Sequence, residues 1–294
     1  MQKMLIIGCG DIGRRVARIA LRRGDGVSAL VRTTQSCAAL RKLGIDAIQA
    51  DLDRDIAPLD IEGAMLLYLA PPPRRGREDP RMHHLLQALT GTPEVFLYLG
   101  TTGVYGDCNG EWVDESRPVA PLADRAWRRL DAERQLADAA ARHGWRHVIM
   151  RVAGIYGAGR LPLQRIRERR PVLRTGQAPY TNRIHQDDLA AITLALLDRG
   201  VSGEIYNVSD GHPGTMSDYF STVARYAGLQ PPPEIDSVQA EREMSAGMLS
   251  YLRESRRISN RKMMELPGIE LRYPTLEDGL KAIFPQQNNN EASS

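Results

Sequence analysis

The chain has 294 residues, enough for one large α/β domain or for such a domain with a smaller companion. Hydrophobic content of 42%, charged content of 26% and a net charge of only +3 fit an ordinary globular protein and give no reason to expect nucleic acid or an anionic membrane as partner. Three dispersed cysteines, Cys9, Cys37 and Cys108, fit a reducing compartment better than a disulfide framework, and no apolar run approaches the roughly 18 residues of a membrane span. In chain order, KMLIIGCG reads as a strand, DIGRRVARIALRRG as a helix, VSALVR as a strand, SCAALRKLG as a helix and IDAIQAD as a strand. AMLLYLA and VFLYLG are further strands, with the helical DPRMHHLLQALTG between them, and WRHVIMRVAGIYG is a strand running into a loop. Near-continuous apolar strands separated by helices predict a doubly wound parallel sheet covered on both faces, extending to about residue 153. Beyond it LPLQRIRER, DDLAAITLALLDRG and MSDYFSTVARYAG read as helices, GEIYNVSD as a strand, and the polar tail PQQNNNEASS as disordered.

The first strand and helix enclose IIGCGDIGRRVA, with Gly8, Gly10 and Gly13 in the G-x-G-x-x-G order and Asp11 and Ile12 between them. In a strand–turn–helix context this is a dinucleotide-binding turn. The first glycine turns the chain, the second admits a pyrophosphate, and the third lets helix and strand approach. The helix N-terminus offers free N–H groups to the phosphates. The second strand ends in Arg32, Thr33 and Thr34, with no carboxylate to take a ribose 2′-hydroxyl. A guanidinium suits a 2′-phosphate, so NADP(H) is expected rather than NAD, with Arg14 and Arg15 adding positive charge. Asp51, beside Leu52, is placed either to accept from an adenine amino group or to make a turn. Ala70 and Pro71 follow the fourth strand, where the chain passes the pyrophosphate.

ADRAWRRLDAERQL, Ala123 to Leu136, carries charge where a helix should be apolar. At about 100° per residue, Ala126, Leu130, Ala132, Leu136, Ala137, Ala140 and Ala141 share one arc. Asp124, Arg128, Asp131, Arg134, Gln135 and Asp138 share the opposite one. Arg125, Arg129 and Glu133 fall inside the apolar arc, and Arg129 and Glu133 have the spacing of an i, i+4 pair. Trp127, Leu130, Ala137 and Ala141 form a second apolar patch, suited to a homodimer face or to the core.

Together with the glycine turn, LGTTGVYGD, RVAGIYGAGR, NRIHQDDLA and EIYNVSDG carry a resemblance over nearly the whole chain. The sequence resembles the extended short-chain dehydrogenase/reductase family, the sugar-nucleotide epimerase and dehydratase group. The resemblance implies a Rossmann domain, here residues 1–153 rejoined by part of 183–208. It also implies a smaller, mostly C-terminal α/β substrate domain, here 154–284, with 285–294 as a disordered tail. It implies catalysis by a Ser or Thr and a Tyr-x-x-x-Lys pair. These positions fall on Thr101, Arg125 and Arg129. Arg129 then also serves the nicotinamide ribose, whereas Arg125 cannot replace a tyrosine, because a guanidinium does not release its proton. Tyr105 is the first substitute acid, with a packed structural aromatic as its alternative. Tyr156, Arg160 and His185 are the candidates for binding substrate. His185 is placed to titrate near neutrality or to serve structurally, ahead of a helix that Asp187 or Asp188 caps. The histidines have no metal-site spacing, so no metal is expected.

The expected protein is a cytoplasmic NADP(H)-binding oxidoreductase or epimerase-like enzyme with altered proton chemistry. Its substrate is small, either anionic or a nucleotide sugar. A dinucleotide-binding redox sensor without turnover is the alternative, and a homodimer is the expected assembly.

Overall fold

A computed structural model describes residues 2–285. The tail expected to be disordered therefore lies outside the described residues, except for Pro285.

The glycine turn joins β1 (Lys3–Ile7) to α1 (Asp11–Arg22), followed by β2 (Gly26–Val31), α2 (Thr34–Arg41) and β3 (Asp46–Gln49). Then come β4 (Ala64–Tyr68), α3 (Pro80–Ala88), β5 (Val95–Thr101), α4 (Asp124–His143) and β6 (His147–Val152). Two later elements return to this body: α5 (Gln186–Arg199) and β9 (Ile205–Val208), the latter after the short strands β7 (Gly154–Tyr156) and β8 (Arg183–His185). The seven long strands form one parallel sheet in the order β9-β6-β5-β4-β1-β2-β3. The winding reverses between β1 and β4, and ligands of such sheets bind outside the carboxyl ends of the strands at that reversal.

Strand periodicity sorts the core into two layers. Met4 and Ile6 of β1 pack with Val16, Ala20 and the apolar residues of α5 on one face. Leu5 and Ile7 pack with Met82, Leu85, Ala132 and Leu136 on the other. Helix α5 buries ten of its residues, so its sequence lacks a polar stripe.

WRHVIMRVAGIYG is two strands, not one running into a loop. The chain breaks at Ala153, and β7 leaves the main sheet to pair with β8. This pair begins a second region that includes α6 (Met216–Tyr226), α7 (Ala246–Leu252) and α8 (Leu276–Ile283). Its core joins Phe220 and Val223 of α6 to Leu280 of α8. Among the described residues, no helix is long and apolar enough to cross a membrane.

Candidate cofactor groove and reaction cavity

The turn after β1 is built on a backbone that only glycine tolerates. Gly8 has φ +86°, and a Cβ there would lie 2.6 Å from the Cα and N of Ala70. Its N–H donates to the carbonyl of Leu30 at 2.9 Å, tying the turn to β2. A Cβ on Gly13 would meet Cys9 Sγ and Leu69 at 3.2 Å, so the third glycine does bring helix and strand together. Gly10 faces open space and is the N-cap of α1, with no side chain bonded to the first-turn N–H groups. Those donors are left for a ligand.

The open space continues as a groove of about 380 Å³ along the strand ends. Gly8, Gly10, Arg32, Asp51, Leu52, Ala70 and Pro71 line it, as expected from sequence. Arg14, Ser36 and Arg81 also line it. The Arg14 and Arg32 guanidiniums have no hydrogen-bond or ion-pair partner among the described residues. Arg81 was not legible in sequence. It grips Asp53 through both carboxylate oxygens, at 2.6 and 2.8 Å, and donates to the carbonyl of Pro71 at 2.7 Å. That contact locks together the loops after β3 and β4 and holds the Asp53 carboxyl below the usual carboxylate range. This shape, with free donors and two unpaired cations, fits a dinucleotide.

Besides Arg129, which lines the adjoining cavity, four expected cofactor residues stand off the groove wall. Gly13 does so for the packing reason above. Ile12 is buried in the core, so only its backbone faces outward. Thr33 caps α2, its hydroxyl accepting from Ser36 N at 3.2 Å. Asp11 is neutralised by Arg15 Nε at 3.3 Å and by Arg160 Nε at 3.0 Å. Asp51 makes the turn foreseen as its alternative, accepting from Asp53 N at 3.1 Å, while also lining the groove.

A second cavity of about 510 Å³ adjoins the groove across the loop at Ala70–Pro72. Thr101, Arg125 and Arg129 line it. Thr101 ends β5 and caps the following turn, accepting from Gly103 N at 3.1 Å. Arg129 donates to the carbonyls of Leu99 and Ala70 and to Tyr98 Oη, at 3.2, 3.5 and 3.4 Å, which holds the strand ends in place. Arg125 has the partner its own helix could not offer. Its Nη1 donates to Ser250 Oγ at 2.9 Å, and its Cζ lies 4.1 Å from the centre of the Tyr251 ring. Both belong to α7, which, with Glu254 and Arg256, forms the far wall.

The i, i+4 pair of Arg129 and Glu133 is not made. Glu133 reaches the buried Arg151 on β6 instead, with contacts at 2.8, 3.2 and 3.3 Å. Burial pushes the Glu133 carboxyl up, against the pull of Arg151. Gly100 makes room for it, since a Cβ there would sit 2.9 Å from Glu133 Oε1. The polar arc of α4 is also partly covered. Arg128 is buried and donates to the carbonyl of Gly76 at 2.6 Å, and Asp131 accepts from Asp79 N at 2.7 Å. The segment leading into α3 lies over that face. The second apolar patch is divided: Leu130 and the half-buried Trp127 pack against Val104, Tyr105 and Ile258, whereas Ala137 is half-buried and Ala141 is exposed.

The remaining candidates lie away from the cavity. Tyr105 is buried, its hydroxyl donating to Asn207 Oδ1 at 2.8 Å and its ring 4.9 Å from Arg151. It is the packed aromatic of the alternative reading. Tyr156 is buried against α8 and donates to the carbonyl of Thr275 at 3.1 Å. Arg160 belongs with Asp11, at the α1 end of the groove. His185 is buried between Tyr156 and Tyr273, with ring centroids at 5.2 and 4.0 Å.

His185, not Asp187 or Asp188, is the N-cap of α5: its Nδ1 accepts from Asp187 N at 3.2 Å. Asp188 instead accepts from the N–H groups of Arg272 and Tyr273. Burial lowers the His185 pKa below its ordinary value of about 6.5. The unfolded chain therefore binds a proton that the native one resists. The contribution of His185 to stability is complete above pH 6.5 and falls as pH drops through it. The slope is at most about 1.4 kcal/mol per pH unit. His185→Asn keeps a good capping side chain and is expected to flatten that limb of a urea-denaturation series between pH 5 and 7. An unchanged slope would show that the titration lies elsewhere.

Comparison with known proteins supports the same region. The NAD dependent epimerase/dehydratase family profile matches residues 82–209, which carry Thr101, Arg125, Arg129 and the whole of α5 and β9. Protein YeeZ of Escherichia coli K12 is 28% identical over 256 residues, covering 79% of this chain and 86% of YeeZ. A 4-hydroxy-2-methyl-3-oxo-4-farnesyl-3,4-dihydroquinoline-1-oxide ketoreductase of Stigmatella aurantiaca is 26% identical over 250 residues, covering 78% of this chain and 74% of the ketoreductase. The solved structure of a functionally unknown conserved protein from Silicibacter pomeroyi superposes with a TM-score of 0.80 at 29% identity, covering 98% of this chain and 99% of that one. Residues 82–209 thus match the NAD dependent epimerase/dehydratase family profile, and the parallel sheet with a glycine turn at its reversal agrees with it, while Tyr251, Glu254 and Arg256 of the cavity's far wall lie beyond the matched segment.

Proposed function

We propose that the protein is an NADP(H)-dependent oxidoreductase of the extended short-chain dehydrogenase/reductase type, acting on a small anionic or nucleotide-sugar substrate. One observation carries this most directly. A groove with two unpaired guanidiniums, Arg14 and Arg32, opens beside a cavity lined by three that have protein partners, Arg125, Arg129 and Arg256. The first pair suits a 2′-phosphate and the second group suits an anionic substrate. When bound, the nicotinamide supplies or takes a hydride. Gly8, Gly10 and the α1 N-terminus would hold the pyrophosphate, with Arg32, Arg14 and Ser36 around the 2′-phosphate and Asp51 near the adenine. Arg129 would reach the nicotinamide ribose from the wall shared with Ala70. Thr101 would orient the reacting oxygen, and Arg125 and Arg256 would hold the substrate's charge. The relative named a ketoreductase makes carbonyl reduction the first activity to try.

The test is NADPH binding by fluorescence, then NADPH oxidation with a panel of ketones, aldehydes and nucleotide sugars. Arg32→Ala is expected to weaken NADPH about 10- to 100-fold, the loss of one charged hydrogen-bonding group, and to leave NADH within threefold. Equal affinity of the wild type for NADH and NADPH would remove the NADP assignment. Binding of NADPH without turnover on any compound would select a redox sensor.

A further inference from the structure

No lysine occurs between Lys42 and Lys262, and none of the chain's tyrosines is followed by a lysine four residues on. The usual proton-relay pair is therefore absent from α4 and from every other segment. Six titratable side chains line the cavity: Arg125, Arg129, Arg256, Glu254, Tyr180 and Tyr251. Guanidiniums do not release protons in proteins. Glu254 is held in an ion pair with Arg256 at 2.8 Å, and its side chain is only 6% exposed. Two phenols are left. The Tyr180 ring packs over Gly110, whose Cβ would sit 3.2 Å from Tyr180 Cδ2, and against Arg257, at 5.1 Å. Arg257 also faces Trp112 at 5.5 Å, and neither Arg257 nor Trp112 lines the cavity, so the Tyr180 ring is held by side chains that stand outside it. The Tyr251 ring lies against Arg125, which fills the place the family gives to its catalytic tyrosine. Arg125 grips the same turn of α7 a second time, through Ser250.

We propose that Tyr251 is the catalytic proton donor, a phenol supplied from α7 to the position that Arg125 has taken on α4. This rests on the oxidoreductase reading above. The substrate's carbonyl carbon accepts the hydride of NADPH. The π electron pair moves to the carbonyl oxygen, and that oxygen takes the proton of Tyr251 Oη. The tyrosinate is reprotonated from water, which reaches it because Tyr251 is 52% exposed. Arg125 is the positioning residue. Its guanidinium is attracted to the ring face, and it also faces the charge that grows on the phenol oxygen in the transition state.

Two measurements test this. Tyr251→Phe keeps the ring and its contact with Arg125, and removes one oxygen. It is expected to lower kcat for carbonyl reduction at least 100-fold, while KM and NADPH affinity stay within threefold. Tyr180→Phe is expected to lower kcat at least tenfold less than Tyr251→Phe does. The second measurement needs no turnover. An aryl sulfonyl fluoride bearing a carboxylate, seated by the cavity arginines, is expected to form a sulfonate ester at Tyr251 Oη with release of fluoride. Peptide mass spectrometry should map that adduct, and Arg125→Leu should suppress it at least fivefold. Turnover that survives Tyr251→Phe within threefold overturns the assignment alone, as does an adduct on Tyr180 or on neither tyrosine. Wild-type protein that binds NADPH but reduces nothing overturns the proposed function, and the assignment with it.

Discussion

Glu133→Ala is expected to destabilise the protein by about 3–5 kcal/mol, a loss read as a lowered midpoint in urea. The wild-type pair is almost dry, with side-chain exposures of 5% for Arg151 and 4% for Glu133. Taking two charges out of water is costly, and the doubly held geometry with its three contacts offsets that cost. Removing the carboxylate leaves Arg151 with the Tyr105 ring and no counter-charge. Packing beside the pair is tight, since even a Cβ on Gly100 would lie 2.9 Å from Glu133 Oε1. The double change Glu133→Leu, Arg151→Met removes both charges and is expected to recover most of the loss, because the desolvation cost disappears with the attraction. If the single change costs less than about 1 kcal/mol, the pair is not the brace described here.

Gly8→Val is expected to abolish dinucleotide binding and to cost about 2–5 kcal/mol of stability. Two separate effects add. A β-branched residue is strained at φ +86°, and its Cβ would be driven into the backbone of Ala70 at 2.6 Å. Backbone is the least able neighbour to give way. The loop that moves, Ala70–Pro72, divides the groove from the cavity, so both sites should suffer together. Gly10→Ala is the control. Nothing lies within 4 Å of its Cβ position, so the apo fold should hold while cofactor affinity falls. A Gly8→Val protein that binds NADPH normally would remove the turn from the site.

The parallel sheet was legible because its long strands, the exposed edge strand β3 apart, are buried on both faces and so read as apolar runs. β1 shows it, sending Met4 and Ile6 to one layer and Leu5 and Ile7 to the other. The groove was legible for a different reason: a backbone with no room for Cβ must be written in glycine. Thr101, Arg125 and Arg129 could be found because they stand at fixed distances from Tyr105 and Glu133. Their partners could not. Arg125 meets Ser250 and Tyr251 across 125 and 126 positions of chain, in a helix that buries none of its residues and so leaves no periodic signal. Arg160 and Asp11 are 149 positions apart, and an ion pair over that span has no local mark. Tyr105 misled because adjacency to a site in sequence says nothing about which way a ring turns. Here it turned down, to Arg151 and Asn207.

The cavity's charge comes from Arg125, Arg129 and Arg256, with Glu254 as the one acid among them. Guanidiniums keep their protons throughout the range in which proteins are handled. The positive field in this cavity is therefore a constant and not a variable of the medium. An anion's affinity will be governed by its own ionisation. A phosphate monoester gains its second charge near pH 6 and will bind more tightly as pH rises through that value, whereas a carboxylate or sulfonate will show a flat profile. A plot of affinity against pH thus becomes an assay of the ligand's headgroup, made with the protein as a fixed electrode.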